Sequence, residues 1–192
     1  MSTKKNILKG FGHLFLMLGI AGTLASCQPK TNAPAETIKR DRTLAELQHD
    51  FVNTRYQAYF HYNMCTFKNL NEEEYQGRSR GIEPASMFNP TGLHMNQWVK
   101  AVQVARMEGG WLTTKHHGGF CLWDSEFTDY DVASSGDTTD IVKEFTDAFR
   151  KAGLKIGLYY SVLDYHHGIE HGETSGNDVQ FIKNQITELV TF

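Results

Sequence analysis

The stretch Trp111–Trp123, WLTTKHHGGFCLW, decides how the rest of the chain is read. It passes from an apolar start through Thr113, Thr114 and Lys115 into His116 and His117, then into Gly118, Gly119 and an aromatic-rich turn. An apolar run that ends abruptly in polar residues and glycine is the pattern of the C-terminal end of a buried parallel strand. In α/β proteins functional groups collect at such ends, because the following loops converge on one pocket. Neighbours on an extended strand point to opposite faces, so His116 and His117 can share a site only where the strand bends. Gly118 and Gly119 permit that bend.

Working outward, apolar residues recur at helical spacing through Leu44, Leu47 and Phe51, which predicts a helix over 44–54. YFHYNM (Tyr59–Met64) reads as a compact strand carrying His61. A long excursion over 65–90 holds the acidic run Glu72–Glu74 and the turn-forming Gly77 and Gly81. Helical spacing returns over 93–107 through Trp98, Val102 and Ala105, with Gly109 as the expected stop. After the strand 111–115 comes a helix over 140–152, with Ile141, Phe145, Ala148 and Phe149 inward and Gly153 as its cap. KIGLYYS (Lys155–Ser161) is a third strand, and 178–190 a further crossover helix. Gly157, Tyr159 and Ser161 should share one strand face, with Ile156, Leu158 and Tyr160 toward the helices. Crossovers of this length imply parallel strands connected right-handedly.

A small doubly wound sheet would fit the size, but no glycine-rich phosphate loop follows any strand. An eight-stranded barrel typically needs about 250 residues. The 165 residues from Gln28 to Phe192 hold too few βα units for that. The expected fold is therefore α/β, the first part of a (β/α)8 TIM-type barrel with about three βα units, spanning residues 44–192.

The N-terminus has a different character. Lys4, Lys5 and Lys9 precede an apolar segment over 11–25 that is short for a membrane span and ends in small residues. Leu24-Ala25-Ser26-Cys27 resembles a bacterial lipobox, in which the cysteine becomes the lipidated first residue of the mature protein. Residues 1–27 are thus expected to be a lipoprotein signal peptide ending at Cys27, against the simpler reading of an ordinary signal peptide with a chance cysteine. Gln28 after it resembles lipoproteins sent on to an outer membrane, so the expected location is an exported, lipid-anchored one. The polar segment 28–43, with Pro29 and Pro34, reads as a tether. Of the remaining cysteines, Cys65 and Cys121 are read as thiols, although pairing is open to an exported protein.

The net charge is -3, and outside the extreme N-terminus there is no basic tract. That argues against a nucleic-acid partner. No cofactor-binding motif stands out. An aromatic content of 12% with four prolines belongs to a folded domain rather than a disordered chain.

Several stretches together resemble the N-terminal catalytic half of the α-L-fucosidases of glycoside hydrolase family 29. They are the strand with His61, MFNPTGLHMNQWVKAVQVARMEGG (Met87–Gly110), TTKHHGGFCLWDSEFTDYDV (Thr113–Val132), DIVKEFTDAFRKAGLKIGLYYSVLDY (Asp140–Tyr165) and QITEL (Gln185–Leu189). The resemblance implies sugar-contacting roles for His61, Glu74, His116, His117 and Tyr159. Glu74 precedes Tyr75 where the family usually has Glu-Trp, and Gly118 stands where it usually reads KHHDGF. The implied partner is a fucosylated oligosaccharide or glycoconjugate, with the membrane engaged through the lipid anchor. No cofactor or metal is implied.

Imidazole donates at one nitrogen and accepts at the other, so clustered histidines suit adjacent sugar hydroxyls. Phe120, Trp123 or a tyrosine could cover the fucose methyl group. Taken alone, His61 and Tyr159 would be core residues and Glu74 part of a solvated face. His166, His167 and His171 are read as loop residues. The implied reaction is retaining hydrolysis of a terminal α-L-fucoside, which needs two carboxylates. In the family the nucleophile follows the helix holding the EL pair and the acid/base lies further on, so neither position falls within this sequence. Asp124, Asp131 and Asp164 lie near strand ends without matching the nucleophile. The expectation is an inactive fragment of a fucosidase, with no catalytic residue of its own. The alternatives are an exported glycan-binding lipoprotein that has lost catalysis and a metallohydrolase using His116 and His117. Adjacent histidines suit one metal poorly compared with an i, i+4 pair. For the N-terminus, Cys27→Ala should abolish labelling by a fatty-acid analogue in a bacterial host, and a mutant labelled as strongly as the parent would refute the lipobox.

Overall fold

The computed structural model describes residues 42–67, 79–172 and 174–191. The signal segment with Cys27, nearly all of the tether, and Glu74 with Tyr75 lie outside the described residues. Three parallel strands, β1 (Gln57–Phe60), β2 (Gly109–Lys115) and β3 (Lys155–Tyr160), form a sheet in the order β1-β2-β3. Helices alternate with them: α1 (Leu44–Val52) and the short α2 (Met64–Phe67), then α3 (Met95–Val104), α4 (Ile141–Lys151) and α5 (Gly176–Thr191). The βα alternation expected from the hydrophobic pattern is therefore present.

One sheet face carries the core. Phe60 on β1 stacks on Trp98 of α3 at 4.7 Å between ring centroids, and meets Phe145 and Phe149 of α4 edge-on. Phe145, Phe149, Ile141 and Val142 are fully buried. A Cβ on Gly110 would come within 2.8 Å of both the Phe149 and Phe60 rings, so the helix layer can close on β2 only over a glycine. The residues expected to face inward from α4 do so.

The helix ends show where sequence and structure part. α4 ends in a Schellman motif, Gly153 N–H to Arg150 O and Leu154 N–H to Phe149 O, with Gly153 left-handed at φ +68°. The same pair of bonds ends α3, Arg106 N–H to Gln103 O and Met107 N–H to Val102 O, but with Arg106 in the left-handed position at φ +56°. Gly109 is therefore not the stop. It belongs to β2, where any side chain would collide with the Lys155 backbone. β1 also ends earlier than expected, at Phe60, because Met64 already opens α2; His61 lies just past the strand. α1 has its predicted stripe and a capping box between Thr43 and Glu46, yet Leu44, Leu47 and Phe51 are 71%, 48% and 65% exposed. Its end is held to the start of β3 by polar bonds, including Lys155 Nζ to Thr54 Oγ1 at 2.6 Å, which set its position without burying that stripe.

β2 carries an irregularity that sorts its side chains. Thr113 pairs with Tyr159, but the next pairing is Lys115 with Tyr160, so Thr114 is an extra residue and its hydroxyl donates to the Tyr159 carbonyl at 2.8 Å. Lys115 is thereby turned to the helix side and fully buried. Its ammonium lies 2.7 Å from Asp164 Oδ2, donates to Gln185 Oε1 of α5 at 3.1 Å, and sits 4.4 Å above the Tyr160 ring. Tyr160 donates its hydroxyl to the same Gln185 oxygen at 2.7 Å. Burial pushes the Tyr160 phenol well up. Removing one partner of a buried pair strands the other charge, at a cost of about 3–5 kcal/mol. Asp164→Ala should destabilise the full-length protein by roughly that much in urea unfolding, and Lys115→Met combined with Asp164→Leu by clearly less. Equal losses in the two variants would show that the charges do not act as a pair.

Candidate functional site

The sheet's other face builds a wall of polar and aromatic side chains. Strand alternation puts Gln57, Tyr59 and His61 from the β1 segment beside Trp111 and Thr113 of β2 and Gly157, Tyr159 and Ser161 from the β3 segment. Toward the strand starts, the Trp111 indole lies flat over Gly157, where a Cβ would fall inside the ring, and donates to Gln57 Oε1 at 2.6 Å. Toward the strand ends, Thr113 Oγ1 is 3.1 Å from His61 Nδ1, and the Tyr59 and His61 rings stack at 4.8 Å. Partial burial raises the Tyr59 phenol, and Thr113 opposes that rise.

The strand ends bring four of the predicted site residues together. His116 and His117 have ring centroids 4.3 Å apart; His116 is 6.0 Å from His61 and 6.5 Å from Tyr159. The strand bends there in a turn over 116–119, closed by Gly119 N–H to the His116 carbonyl at 2.9 Å, and Gly119 itself is left-handed at φ +92°, where a side chain would strike the Asp164 carboxylate. His117 Nδ1 is 2.6 Å from Ser161 Oγ, and the His117 carbonyl accepts from Tyr165 N–H at 2.7 Å. The fifth predicted residue, Glu74, lies outside the described residues.

Two aromatic assignments are corrected. Phe120 and Trp123 are 2% and 0% exposed and belong to the core, so neither can cover a ligand's methyl group. Trp123 is spoken for by a bond from its Nε1 to Glu188 Oε2 at 2.9 Å. Tyr59, at 49% exposure, is the accessible ring on the wall. His166 and His167 also do more than fill a loop. His166 stacks on Tyr130 at 4.1 Å and donates from Nδ1 to the Gly81 carbonyl at 2.7 Å, while His167 stacks on Phe181 of α5.

Two of the three strand-end acids are occupied. Asp164 is paired with Lys115, and its other oxygen accepts from His167 N–H at 2.9 Å. Asp131 accepts from the Ser125 and Ser134 backbone N–H groups. Asp124 is exposed. Cys65 and Cys121 form no disulfide, and burial pushes the Cys121 thiol well above its ordinary range. Among the described residues, no group of three or more His, Cys, Asp or Glu is placed to hold a metal ion. What the wall can do is donate and accept hydrogen bonds beside an aromatic surface, which is the chemistry of holding a neutral, hydroxyl-rich ring.

The profile of the alpha-L-fucosidase family matches residues 23–192. The chain belongs to the alpha-L-fucosidase family. Alpha-L-fucosidase 1 of Arabidopsis thaliana is 43% identical over 109 residues, which are 55% of this chain and 21% of that protein. A solved glycoside hydrolase 29 family member from an unknown rumen bacterium aligns with TM-score 0.62 at 31% identity, over 77% of this chain and 25% of its own. An alpha-L-fucosidase from Bacteroides thetaiotaomicron, trapped as a covalent intermediate in complex with 2-fluoro-fucosyl fluoride, aligns with TM-score 0.65 at 25% identity, over 75% of this chain and 38% of its own. The chain thus spans about a fifth of that curated relative and between a quarter and two fifths of those structures. Its three βα units match part of the TIM barrels of this family.

The departure at Gly118 has a local explanation. A Cβ there would meet Ser79 Oγ at 2.5 Å and Ser79 Cβ at 2.6 Å, so Ser79 occupies the space of a side chain at position 118. Ser79 is itself fixed, donating to Glu83 Oε2 at 2.6 Å and accepting from Gly81 N–H at 3.1 Å. Introducing a side chain into such a packed place typically costs about 1–3 kcal/mol. Gly118→Asp should destabilise the full-length protein by roughly that amount, and Ser79→Gly in the same chain should recover most of the loss. Thermal unfolding of the two variants checks this, and an unaffected single mutant would remove Ser79 as the cause.

Proposed function

We propose that the complete protein carrying this segment hydrolyses terminal α-L-fucosyl residues with retention of configuration, and that this segment supplies the wall that holds the sugar. The observation that carries the reading is the convergence of His61, His116, His117 and Tyr159 at the ends of three parallel strands in a chain of this family. Barrel enzymes place their sites at that end of the strands. The groups are imidazole and phenol donors and acceptors rather than an array of ammonium and carboxylate charges, as a fucose ring with free hydroxyls requires. Glu74, which lies outside the described residues, is proposed to join them.

Retention proceeds through two displacements. A carboxylate attacks the anomeric carbon while an acid protonates the departing glycosidic oxygen; water, deprotonated by the same group, then releases the sugar. The solved relative trapped as a covalent intermediate supports this course. The buried strand-end carboxylates Asp131 and Asp164 are bound up in structural bonds, so both reactive carboxylates are proposed to come from other parts of the protein. Export and membrane attachment through Cys27 are proposed on the lipobox pattern, and would put the enzyme where fucosylated glycans are met.

In the complete protein, His117→Ala should weaken inhibition by fucose by about 1–3 kcal/mol, the range for buried polar groups left without their partners. Residues 28–192 purified alone should not turn over an aryl α-L-fucoside. Turnover by that piece, abolished by substituting Asp164, would place the nucleophile inside it and refute the division of labour. Fucose binding by a complete protein that shows no turnover would favour a glycan-binding role.

A further inference from the structure

We propose that Thr113 is a positioning residue that holds the His61 ring in place at the point where the pairing of β1 with β2 stops. That His61 then meets a fucoside rests on the function proposed above; the hold on the ring does not.

The two strands run in register as far as Phe60 beside Leu112. His61 and Thr113 are the next residues in line, but β1 ends at Phe60 and His61 lies past it. Strand pairing therefore no longer sets where the imidazole points, and side chains take over. Thr113 Oγ1 lies 3.1 Å from His61 Nδ1, within hydrogen-bond distance whichever of the two donates.

Thr113 is suited to this by its own rigidity. It sits on the central strand, paired with Tyr159 of β3, and is fully buried. A β-branched side chain has few rotamers to choose from. A buried hydroxyl without a partner costs stability, and valine would fill the same strand position without that cost. The hydroxyl is thus accounted for by what it touches, and its hydrogen-bonding contact is His61. Tyr59 takes one face of the imidazole, stacked at 4.8 Å between centroids with 23° between the planes. Burial raises the Tyr59 phenol and Thr113 works against that rise, so the same hydroxyl bears on both rings of the stack. With an edge at Thr113 and a face on Tyr59, the ring has its position and tilt set, including its 6.0 Å spacing from His116. Thr113 decides where His61 can be met without touching a ligand itself.

The test is a double-mutant cycle in the complete protein, read by fucose inhibition and by the NMR signals of the His61 ring. Thr113→Val keeps the shape and removes the hydroxyl. It should raise the fucose inhibition constant roughly tenfold, the size of one lost hydrogen bond at the upper end of the usual range. In a His61→Ala background the same substitution should add nothing, because the residue it acts through is gone. Thr113→Ser retains the hydroxyl and should recover most of the affinity. The His61 ring protons should be displaced by the Tyr59 face in the parent, and should move toward free-histidine positions in Thr113→Val. Additive losses across the cycle would mean that Thr113 acts through the sheet rather than through His61, and would overturn the proposal. Parent His61 signals at free-histidine positions overturn it too, with no variant having to fold. Ring signals that respond to Thr113→Val in a protein that fails to bind fucose would uphold the hold on His61 and refute the fucoside reading instead.

Discussion

The ion pair between Lys115 and Asp164 is the contact on which the arrangement of the strand ends depends. It links the end of β2, the loop after β3 and, through Gln185, the middle of α5. Both charges are removed from water, and their mutual attraction must offset that desolvation with the help of every remaining bond. Those bonds are present: the Gln185 oxygen and the Tyr160 face for the ammonium, the His167 N–H for the second carboxylate oxygen. Asp164 also exchanges both backbone bonds with Ile169, which folds the loop back on itself. Tyr165, the next residue, then reaches the His117 carbonyl. A charge buried on one side of the sheet thus fixes the backbone that presents a histidine on the other.

The bulge at Thr114 is what lets the two functions coexist. With strict alternation Lys115 would follow Thr113 onto the wall, placing an ammonium beside the histidines. The extra residue turns it toward Tyr160 and α5 instead. The wall keeps imidazole, phenol and hydroxyl groups, and the ammonium goes where it can staple three elements. Gly119 completes the arrangement, because the Asp164 carboxylate occupies the space where its side chain would be.

Much of this was legible in the sequence, for identifiable reasons. Period-two alternation in KIGLYYS separates Tyr159 and Ser161 from Tyr160 correctly, and the 3.6-residue spacing in α4 names its buried face, because both depend on local geometry that the whole sheet repeats. The same alternation, run from His61 and Trp111, also points to Tyr59 and Thr113. The misses come where one residue breaks a pattern. A bulge leaves no mark on TTKHH that distinguishes Lys115 inside from Lys115 outside. A Schellman turn closed by Arg106 rather than glycine carries no compositional flag, so the stop of α3 was placed three residues late. Phe120 and Trp123 read as ligand-facing aromatics because they adjoin the histidines in sequence. The reversal after Gly119 sends them into the core, a tertiary outcome that adjacency cannot report.

The distribution of charge separates recognition from reaction. A nucleophilic carboxylate needs an oxygen with a lone pair aimed at the reacting carbon, close enough for in-line attack. Asp164 has spent one oxygen on an ammonium and the other on a backbone N–H, and Asp131 holds two N–H groups. Freeing either would strand buried partners, so these acids serve the loop rather than a substrate. The histidines, in the role proposed for them, face the opposite demand: to hold a neutral ring they must offer donors and acceptors rather than a fixed charge. The same few residues between β3 and α5 therefore hold the buried charge and tie down His117, through Ser161 Oγ at its Nδ1 and the Tyr165 N–H at its carbonyl.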